Sequence, residues 1–454
     1  MNQYYPENME RRLFLRNAMA TAAGAIVIPS IIPSSVMGKN APGNKINIGL
    51  IGCGRIAREH NLPEILKYET AKVIAVCDLD SKRMEDGKKF IEDFYNRKSG
   101  SSGYINVKMY EDYRQMLLNP EIDAVIICTP DHWHAQPAIE SALAGKDIYL
   151  QKPATLTVAE GRLLCDVVAR QGVILQVGAQ CRSSSPQYRK AAELVRNGRI
   201  GKIHTVKIGF PGDPSGSVAS EMAVPKNLNY DRWLGSTPEI FYTEMRVHPQ
   251  DGYSRPGWLR CEQFGAGMIT GWGAHMFDYS AWGMDTEHTG PVTVEGVAQF
   301  PKTGLWDVHG DFMVKAEYEN GISMYVNSGF PAGIKYEGDE GWIFVSHVGK
   351  NTFDASDPRM LGSEIKENEI HLYHSDEHHG NWLECIKSRK QPISPIEIGH
   401  RACTMCLISH IAMKVPGVLQ WDPKGERFRK NDRANSLLKR KQRFPYGTDY
   451  LKLI

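Results

Sequence analysis

The sequence lacks an excess of charge of either sign. Its 54 Lys and Arg residues nearly balance 52 Asp and Glu residues, which gives a formal net charge of +2 over 454 residues. Nucleic acid and acidic lipid attract proteins through a strong positive field, so this balance favours a small partner with little charge and no nucleic acid. Hydrophobic residues make up 42% and charged residues 23% of the chain, as in ordinary globular proteins. The length allows about two or three domains.

A regular cysteine framework is also missing. The chain has nine cysteines, an odd number without regular spacing, which argues against a set of structural disulfides. Cys403 and Cys406 form the only CxxC pair, and no second pair completes a zinc site. The pair lies in an apolar stretch, residues 402–415, that is typical of a helix. The sequence therefore predicts buried structural thiols and no metal site.

No apolar run is long enough to span a bilayer, but the N-terminus has the pattern of an export signal. Arg11 and Arg12 precede an apolar stretch over residues 18–32, shorter than the about 20 residues that a membrane helix needs. This pattern is typical of a twin-arginine signal. We predict a signal and linker over residues 1–44, a periplasmic or otherwise exported protein, and the twin-arginine export machinery as a partner. That route carries folded proteins, often with a bound cofactor, so a cofactor is expected.

From residue 45 onward, strand-like and helix-like segments alternate. Five short and continuous apolar runs recur, at residues 45–51, 71–77, 123–129, 146–150 and 173–177. Continuous apolar runs are typical of strands buried on both faces of a parallel sheet. We therefore predict a doubly wound α/β domain over residues 45–178.

After residue 178 the pattern changes to that of an α+β domain. A helix is predicted over residues 187–197 and a strand over 202–209, followed by an irregular region rich in Pro and Gly from Pro211 to Arg260. Four later segments have strand patterns, at residues 291–300, 310–319, 321–330 and 341–347. Asn320-Gly321 between two of them indicates a hairpin. These segments predict a large open and mainly antiparallel sheet.

The second domain is predicted to cover residues 179–425. Residues 426–454 are rich in Lys and Arg, and ten such residues follow Asp422 in the sequence. We expect this basic C-terminal tail to be solvated or to contact another subunit.

A glycine turn follows the first predicted strand. Gly52 permits a tight turn, and Gly54 lets the backbone approach a pyrophosphate at a helix N-terminus. Asp78 lies 24 residues after Gly54 at the end of the second strand, where a carboxylate can bind both ribose hydroxyls and repel a 2′-phosphate. We predict a dinucleotide site that prefers NAD to NADP, a preference that Lys82 and Arg83 weaken.

Two further loops lie at the carboxyl ends of predicted parallel strands, Cys128–His134 and Gln151–Pro153. Such strand ends line the crevice of a doubly wound sheet. Lys152 in the second loop can hydrogen-bond a substrate hydroxyl and stabilise charge on its oxygen during hydride loss. Position alone leaves an ordinary solvated lysine as an equal alternative.

Together these motifs resemble the Gfo/Idh/MocA oxidoreductase family. The resemblance covers roughly residues 45–425 and rests on the glycine turn with Asp78, Thr129-Pro130 followed by His134, Lys152-Pro153, and residues 178–182, 198–203 and 273–278. It implies an N-terminal Rossmann domain that binds NAD(P) and a C-terminal domain that binds substrate and whose open sheet often mediates oligomerisation. It also implies activity on hydroxyl groups of sugars or cyclitols, and we expect a homo-oligomer.

The resemblance assigns roles to individual residues. Lys152 corresponds to the Lys of the family's Glu-Lys-Pro motif, and His275 to its proton-transferring His. Asp278 lies three positions later, shares a helix face with His275 and is expected to orient the imidazole, so these three are the predicted catalytic residues. The predicted cofactor-binding residues are Gly52, Gly54, Arg55, Ile56, Asp78, Thr129, Pro130, His134, Gln151, Lys152 and Gln180. The predicted substrate-binding residues are Lys152, Arg182, Tyr188 and His275.

Two positions depart from the family pattern. Gln151 replaces the Glu of the motif, and Gly271 stands where many members carry an Asp. Both changes remove a carboxylate expected close to Lys152. They bear on the predicted dehydrogenase activity and leave the predicted cofactor site unaffected. Proton transfer would then fall to His275, Asp278, Tyr188 or residues 211–260.

Three functions are compatible with these observations. The first is an exported, NAD-dependent oxidoreductase acting on a sugar or glycoside hydroxyl, with a tightly held cofactor that is recycled in each cycle. The second is a glycoside hydrolase or lyase in which transient oxidation of a sugar carbon acidifies the neighbouring C–H and allows elimination of the glycosidic bond, as part of the family does. The third, suggested by Gln151 and Gly271, is a non-catalytic protein that binds a sugar or nucleotide.

Overall fold

The computed structural model describes residues 45–100, 105–348 and 351–453. The predicted twin-arginine signal lies outside these described residues. Within them, no helix combines the length and apolar character needed to cross a membrane.

The first domain is built on a parallel sheet of six strands, as the apolar runs predict. The strands are β1 (Ile46–Ile51), β2 (Ala71–Cys77), β3 (Lys108–Tyr110), β4 (Ala124–Ile127), β5 (Asp147–Leu150) and β6 (Leu175–Val177). Their order in the sheet is β3-β2-β1-β4-β5-β6, so the chain winds outward in both directions from β1. Only β3 was missing from the prediction, because its three residues are largely exposed and carry no apolar run.

Helices cover both faces of this sheet. They are α1 (Leu62–Ile65), preceded by a π-helical turn (Ala57–Asn61), α2 (Ser81–Ser99), α3 (Tyr113–Leu117), α4 (Ala135–Leu143) and α5 (Val158–Gln171). Local sequence sets their ends. Asp80 caps α2 by accepting hydrogen bonds from the backbone N–H groups of Lys82 and Arg83, as short polar side chains do at helix N-termini.

The second domain contains a sheet of nine strands. They are β7 (Ile203–Gly209), β8 (Thr293–Ala298), β9 (Phe312–Glu317), β10 (Ser323–Asn327), β11 (Gly333–Gly338), β12 (Gly341–Ser346), β13 (Thr352–Ala355), β14 (Leu419–Asp422) and β15 (Arg427–Phe428). Their order is β13-β12-β11-β7-β10-β9-β8-β14-β15. All neighbours are antiparallel except β7 and β10. The fold class is therefore confirmed.

The predicted hairpin at Asn320-Gly321 is also confirmed. Strands β9 and β10 pair in antiparallel register, and Gly321 adopts φ of +85° in the turn between them, a conformation that glycine adopts without steric cost. Strands β11 and β13 were not predicted. Glycines bound β11 on both sides, and it is pairing with β7 and β12 that makes this segment a strand.

The helices of the second domain pack on one face of the large sheet and against the first domain. They are α6 (Cys181–Ser184), α7 (Pro186–Arg196), α8 (Tyr230–Leu234), α9 (Met268–Gly271), α10 (Gly273–Met284), α11 (His378–Ser388), α12 (Ile396–Lys414) and α13 (Asp432–Ser436). Short 3₁₀ helices occur at Asp131–Trp133, Gly257–Arg260, Pro358–Met360 and Asp449–Leu453. Helix α12 contacts both α5 and β8, so it joins the two domains in one core.

Cys403 and Cys406 lie on α12, are buried and are free thiols. The Cys403 thiol lies 3.2 Å from the carbonyl oxygen of Thr155 in the first domain. This confirms the prediction of a buried structural pair.

The C-terminal tail agrees with the prediction in part. Most of its cations are exposed to solvent, among them Lys430, Lys439 and Lys441, as predicted. Its apolar residues Tyr446 and Leu451 are buried against the rest of the chain, which was not predicted. Arg443 anchors the tail by donating to Asp231 and to two carbonyl groups in the 235–237 turn.

Candidate active site

A pocket lies at the carboxyl ends of β1, β2, β4 and β5, where a doubly wound sheet binds its ligands. All predicted cofactor-binding residues except Gln180 line it. The pocket is also lined by residues of the irregular region and of the C-terminal tail: Ser254, Arg255, Pro256, Trp258, Leu259 and Tyr446. The pocket is therefore built from both domains.

The glycine turn has the geometry that a pyrophosphate requires. Gly52 adopts φ of +91°, and a Cβ atom there would lie 2.8 Å from the carbonyl group of Cys128. A Cβ atom added at Gly54 would have no other atom within 4 Å, so a ligand can approach the Gly54 backbone from this side. The next residue, Arg55, also lines the pocket. These features fit the phosphate groups of a dinucleotide at the start of a helix.

Asp78 is held where a ribose would bind. Its Oδ2 accepts a hydrogen bond from the Cys53 N–H (2.7 Å) and its Oδ1 accepts one from the Asp80 N–H (2.9 Å). Burial raises the pKa of Asp78, and these two hydrogen bonds oppose the rise. Each carboxylate oxygen keeps a lone pair for a ribose hydroxyl.

The two cations that could bind a 2′-phosphate are occupied. Lys82 Nζ donates to the carbonyl oxygen of Gln250 (2.8 Å), and Arg83 donates to that of Pro249 (2.8 Å). Both side chains thus hold the 249–252 loop of the second domain. This strengthens the preference for NAD that Asp78 indicates.

His134 connects the two loops at the ends of β4 and β5. Its ring nitrogens lie 2.9 Å from the carbonyl oxygen of Thr129 and 2.6 Å from that of Pro153. Burial and the nearby charge of Lys152 lower the pKa of His134 to about 4, and the two contacts with backbone carbonyl groups oppose that fall. His134 holds the loop that carries Lys152 in place.

Lys152 lies at the floor of the pocket. Its Nζ donates a hydrogen bond to the carbonyl oxygen of Gly271 (3.0 Å). Burial lowers the pKa of Lys152, the charge of Asp131 opposes that effect, and Arg255 and Arg55 lower it further. The ammonium group has two more N–H bonds, which are available to a substrate oxygen.

His275, on α10, lies close enough to Lys152 for their charges to interact. Burial and then the charge of Lys152 lower the pKa of His275 well below its ordinary value. Its Nδ1 contacts the hydroxyl oxygen of Tyr279 (3.0 Å), which also accepts a hydrogen bond from the Cys181 N–H. The ring is therefore neutral and held in orientation by Tyr279.

Asp278 does not make the predicted contact with His275. Both of its carboxylate oxygens bind Arg182, at 2.6 Å from Nε and 2.8 Å from Nη2, and neither orients His275. Arg182 also binds Glu287 at 2.8 Å. With 1% and 2% of their side chains exposed, Arg182 and Asp278 form a buried structural pair.

The structure therefore removes Asp278 from the catalytic residues and Arg182 from the substrate-binding residues. A buried guanidinium needs carboxylate partners to offset its desolvation, and this need decides where Asp278 points. Tyr188 lies behind the site, with its hydroxyl 2.7 Å from His347 Nδ1 and its ring 4.6 Å from that of Tyr279. Gln180, Tyr188 and His275 lie outside the set of residues that line the pocket.

Sequence reasoning missed several charged residues that line the pocket, among them Asp131 and Arg255. Asp131 is 3% exposed, and its Oδ2 has no hydrogen-bond partner among the described residues. Burial raises the pKa of Asp131 to about 7, and the charges of Lys152 and Arg440 oppose that rise. Its position in the 128–134 loop was a signal, since polar residues at strand ends face the crevice.

These features define a two-domain oxidoreductase with an NAD-binding Rossmann domain. Comparison with known families agrees: the oxidoreductase family model for the NAD-binding Rossmann fold matches residues 46–179, and the model for the family's C-terminal α/β domain matches residues 214–448. The chain belongs to the Gfo/Idh/MocA oxidoreductase family.

Curated relatives are similar to this chain over about half of their own length or less. The uncharacterized oxidoreductase YrbE of Bacillus subtilis is 31% identical over 46% of this chain and 52% of its own. Myo-inositol 2-dehydrogenase of Thermotoga maritima is 28% identical over 45% of this chain and 53% of its own. Glycosyl hydrolase family 109 protein 2 of Shewanella sp. strain ANA-3 is 31% identical over 33% of this chain and 35% of its own. This chain thus spans about half or less of each relative.

Solved structures share the fold across both domains. The WlbA dehydrogenase of Bordetella pertussis, solved with NADH and UDP-GlcNAcA, superposes with a TM-score of 0.59 at 16% identity. The match covers 83% of this chain and 99% of that one.

Proposed function

We propose that the protein is an exported, NAD-dependent oxidoreductase that acts on a hydroxyl group of a sugar or glycoside. The observation that carries the proposal is the placement of Lys152. Its ammonium group shares one pocket with the glycine turn and Asp78, and its charge reaches the neutral His275. Relatives named as inositol dehydrogenases support a polyhydroxylated substrate.

NAD, when bound, supplies the hydride acceptor, and the residues of this chain position and deprotonate the hydroxyl. The glycine turn and Asp78 hold the dinucleotide at one end of the pocket. Lys152 donates a hydrogen bond to the substrate oxygen and stabilises negative charge that develops there. The neutral His275 imidazole accepts the hydroxyl proton, which a protonated ring could not do.

Two neutral groups replace the carboxylates that the family pattern places near Lys152. Gln151 donates to the side-chain oxygen of Asn61 (3.1 Å), and Gly271 offers only its backbone carbonyl oxygen to Lys152. The ammonium group is therefore not neutralised by an ion pair within 4 Å among the described residues. An unneutralised cation polarises a substrate oxygen more strongly in a buried site.

The proposal includes a tightly held cofactor, because both domains contribute to the pocket lining. Besides the glycine turn, the pocket is lined by residues from outside the first domain: Ser254, Arg255, Pro256, Trp258, Leu259 and Tyr446. A dinucleotide held between residues of both domains would leave slowly, which suits an exported enzyme that recycles its NAD in each cycle.

We propose a homo-oligomer as well, formed through the open face of the large sheet. Val297 and Met313 are cross-strand neighbours on β8 and β9, and their exposed fractions are 63% and 47%. Adjacent exposed apolar side chains on a sheet face favour contact with another subunit. Sedimentation at several concentrations, with Val297→Lys as the perturbed form, tests this.

A second candidate function is NAD-dependent glycoside cleavage without net redox change. The glycosyl hydrolase family 109 relative favours it. In this reaction oxidation acidifies the neighbouring C–H bond, elimination breaks the glycosidic bond, and addition of water and re-reduction follow.

One experiment separates the candidates. Purified protein is denatured to measure released NAD and NADP, and native protein is incubated with nitrophenyl glycosides and with free sugars. Absorbance of reduced nicotinamide on sugar addition supports the oxidoreductase, whereas nitrophenol release without that absorbance supports the hydrolase. Protein that neither contains nor binds NAD would refute both.

A further inference from the structure

We propose that Arg255 binds an anionic substituent of the substrate, a carboxylate or sulfate ester carried by the sugar. This inference rests on the proposed function, because it assigns the substrate class of the same pocket. The observation behind it is that Arg255, which the second domain contributes to the pocket lining, has no carboxylate oxygen within 4 Å of its guanidinium among the described residues.

Within the described part of the chain, Arg255 has no ion-pair partner. Among the described residues no carboxylate oxygen lies within 4 Å of its guanidinium, and its one hydrogen-bond contact is with the Met268 sulfur at 3.7 Å. Asp213 is the nearby carboxylate, but it is engaged by Arg260 (3.4 Å) and by the Met268 N–H (2.6 Å). Arg255 therefore lines the pocket without a carboxylate bound to its guanidinium, and the charge of Asp213 acts on it only from a distance.

The charges of Arg255, Arg55 and Lys152 also act on one another. Burial, followed by repulsion from Arg55 and Arg260, lowers the pKa of Arg255, and Asp213 opposes that effect. Burial is also the main cause of the lowered pKa of Lys152, to which Arg255 adds and which Asp131 opposes. Cations that destabilise one another in this way gain most when an anion is placed between them.

The dinucleotide accounts for only part of this charge. Arg55 directly follows Gly54 in the turn that fits the pyrophosphate, and it stands on the first domain. Arg255 stands on the second domain, which in this fold class is the substrate side. A contact path runs from Arg255 to Met268, whose sulfur lies 3.6 Å from the position of a Cβ at Gly271, and Gly271 binds Lys152.

Arg255 and Lys152 line the same pocket, so one ligand in that pocket can reach both. Gly271, whose carbonyl oxygen binds Lys152, carries no side chain, and a Cβ atom added there would lie in ordinary contact with the Met268 sulfur (3.6 Å) and a Leu259 methyl group (3.8 Å). A sugar whose reacting hydroxyl binds Lys152 could place a nearby carboxylate or sulfate on Arg255, which forms strong, directional hydrogen bonds with such oxygens.

The test compares matched sugars on the NAD-loaded protein. Binding of D-glucuronate, D-galacturonate, D-glucose 6-sulfate, D-glucose and D-galactose is measured by calorimetry, and turnover of the same sugars is followed by nicotinamide absorbance. The variants are Arg255→Gln, the conservative Arg255→Lys, and Arg359→Gln, whose target is a surface arginine with 91% of its side chain exposed. Bound NAD is measured in each.

We expect an anionic sugar to bind at least about tenfold more tightly than its neutral counterpart, the scale of a charge-assisted contact. Arg255→Gln should abolish that preference while NAD content and neutral-sugar affinity stay unchanged. Arg255→Lys should restore it in part, and Arg359→Gln should behave as wild type. Preference for the uronates identifies a carboxylate, and preference for the 6-sulfate identifies a sulfate ester.

Three outcomes would overturn the inference. They are equal affinity for charged and neutral sugars, no binding of any probe, and a loss of NAD from Arg255→Gln, which would assign the residue to the cofactor. Turnover of neutral sugars without an anionic preference would leave the proposed function intact. Binding of an anionic sugar that depends on Arg255, without any turnover, would sustain the inference and remove the proposed function.

Discussion

Asp278→Asn should destabilise the protein and leave the chemistry almost untouched. The side chain is 2% exposed and binds Arg182 through both oxygens, at 2.6 and 2.8 Å. Removing one partner of a buried pair costs about 3–5 kcal/mol, because the other charge remains buried. Glu287 still binds Arg182 at 2.8 Å and Asn keeps one acceptor oxygen, so we expect about 3 kcal/mol.

The assay is thermal unfolding together with turnover on the same samples. For domains of this size, about 3 kcal/mol lowers the melting temperature by roughly 6–12 °C. Asp285→Asn is the matched control: this residue follows α10, pairs with Arg196 at 2.9 Å and is 72% exposed. Exposed pairs contribute little, so the control should melt close to wild type.

A double replacement sharpens the test. Arg182→Met combined with Asp278→Leu removes both charges of the pair, so it should recover part of the stability that either single change loses. The reasoning is refuted if Asp278→Asn melts like wild type but has lost turnover, with a shifted acid limb of the pH–rate profile. That result would return Asp278 to the role of orienting His275.

The other predictions concern the cofactor, the proton and export. His275→Ala should lower turnover by about 10²–10⁴-fold, the usual contribution of a general base, while released NAD stays constant; unchanged turnover in folded protein would remove His275 from the mechanism. Asp78→Ala should weaken NAD binding, measured by titration, far more than it lowers the melting temperature, because a strand-end carboxylate at the pocket is not part of the apolar core. Asp131 has a pKa of about 7 in the folded protein, raised by burial from an ordinary value of 3.8. The folded state therefore holds a proton that the unfolded chain has lost, and stability should fall as pH rises from about 4 to about 7; melting curves of Asp131→Asn should lack this slope, and an equal slope in both would contradict the assignment. Replacing Arg11 and Arg12 together by Lys should leave precursor in the cytoplasm, judged by fractionation, whereas an unchanged periplasmic yield would point to another export route.

Local sequence accounts for the cofactor half of the site. Gly52, Gly54 and Asp78 follow buried parallel strands, and the carboxyl ends of such strands meet at one edge of the sheet. Lys152 reaches the same edge for the same reason. Chain topology therefore brings these residues together without any knowledge of side-chain partners, which is why the apolar runs and turn residues were sufficient.

Tertiary packing alone decided the partners of the remaining charges. Arg182 and Asp278 are 96 positions apart, and the contact of α6 with α10 pairs them instead of leaving Asp278 beside His275. Arg255 became visible as a pocket residue only when the two domains were placed together. The sequence determines the fold class and the dinucleotide turn through backbone geometry, whereas a buried charge takes whichever partner the packing of distant helices brings within reach, because its desolvation must be offset there.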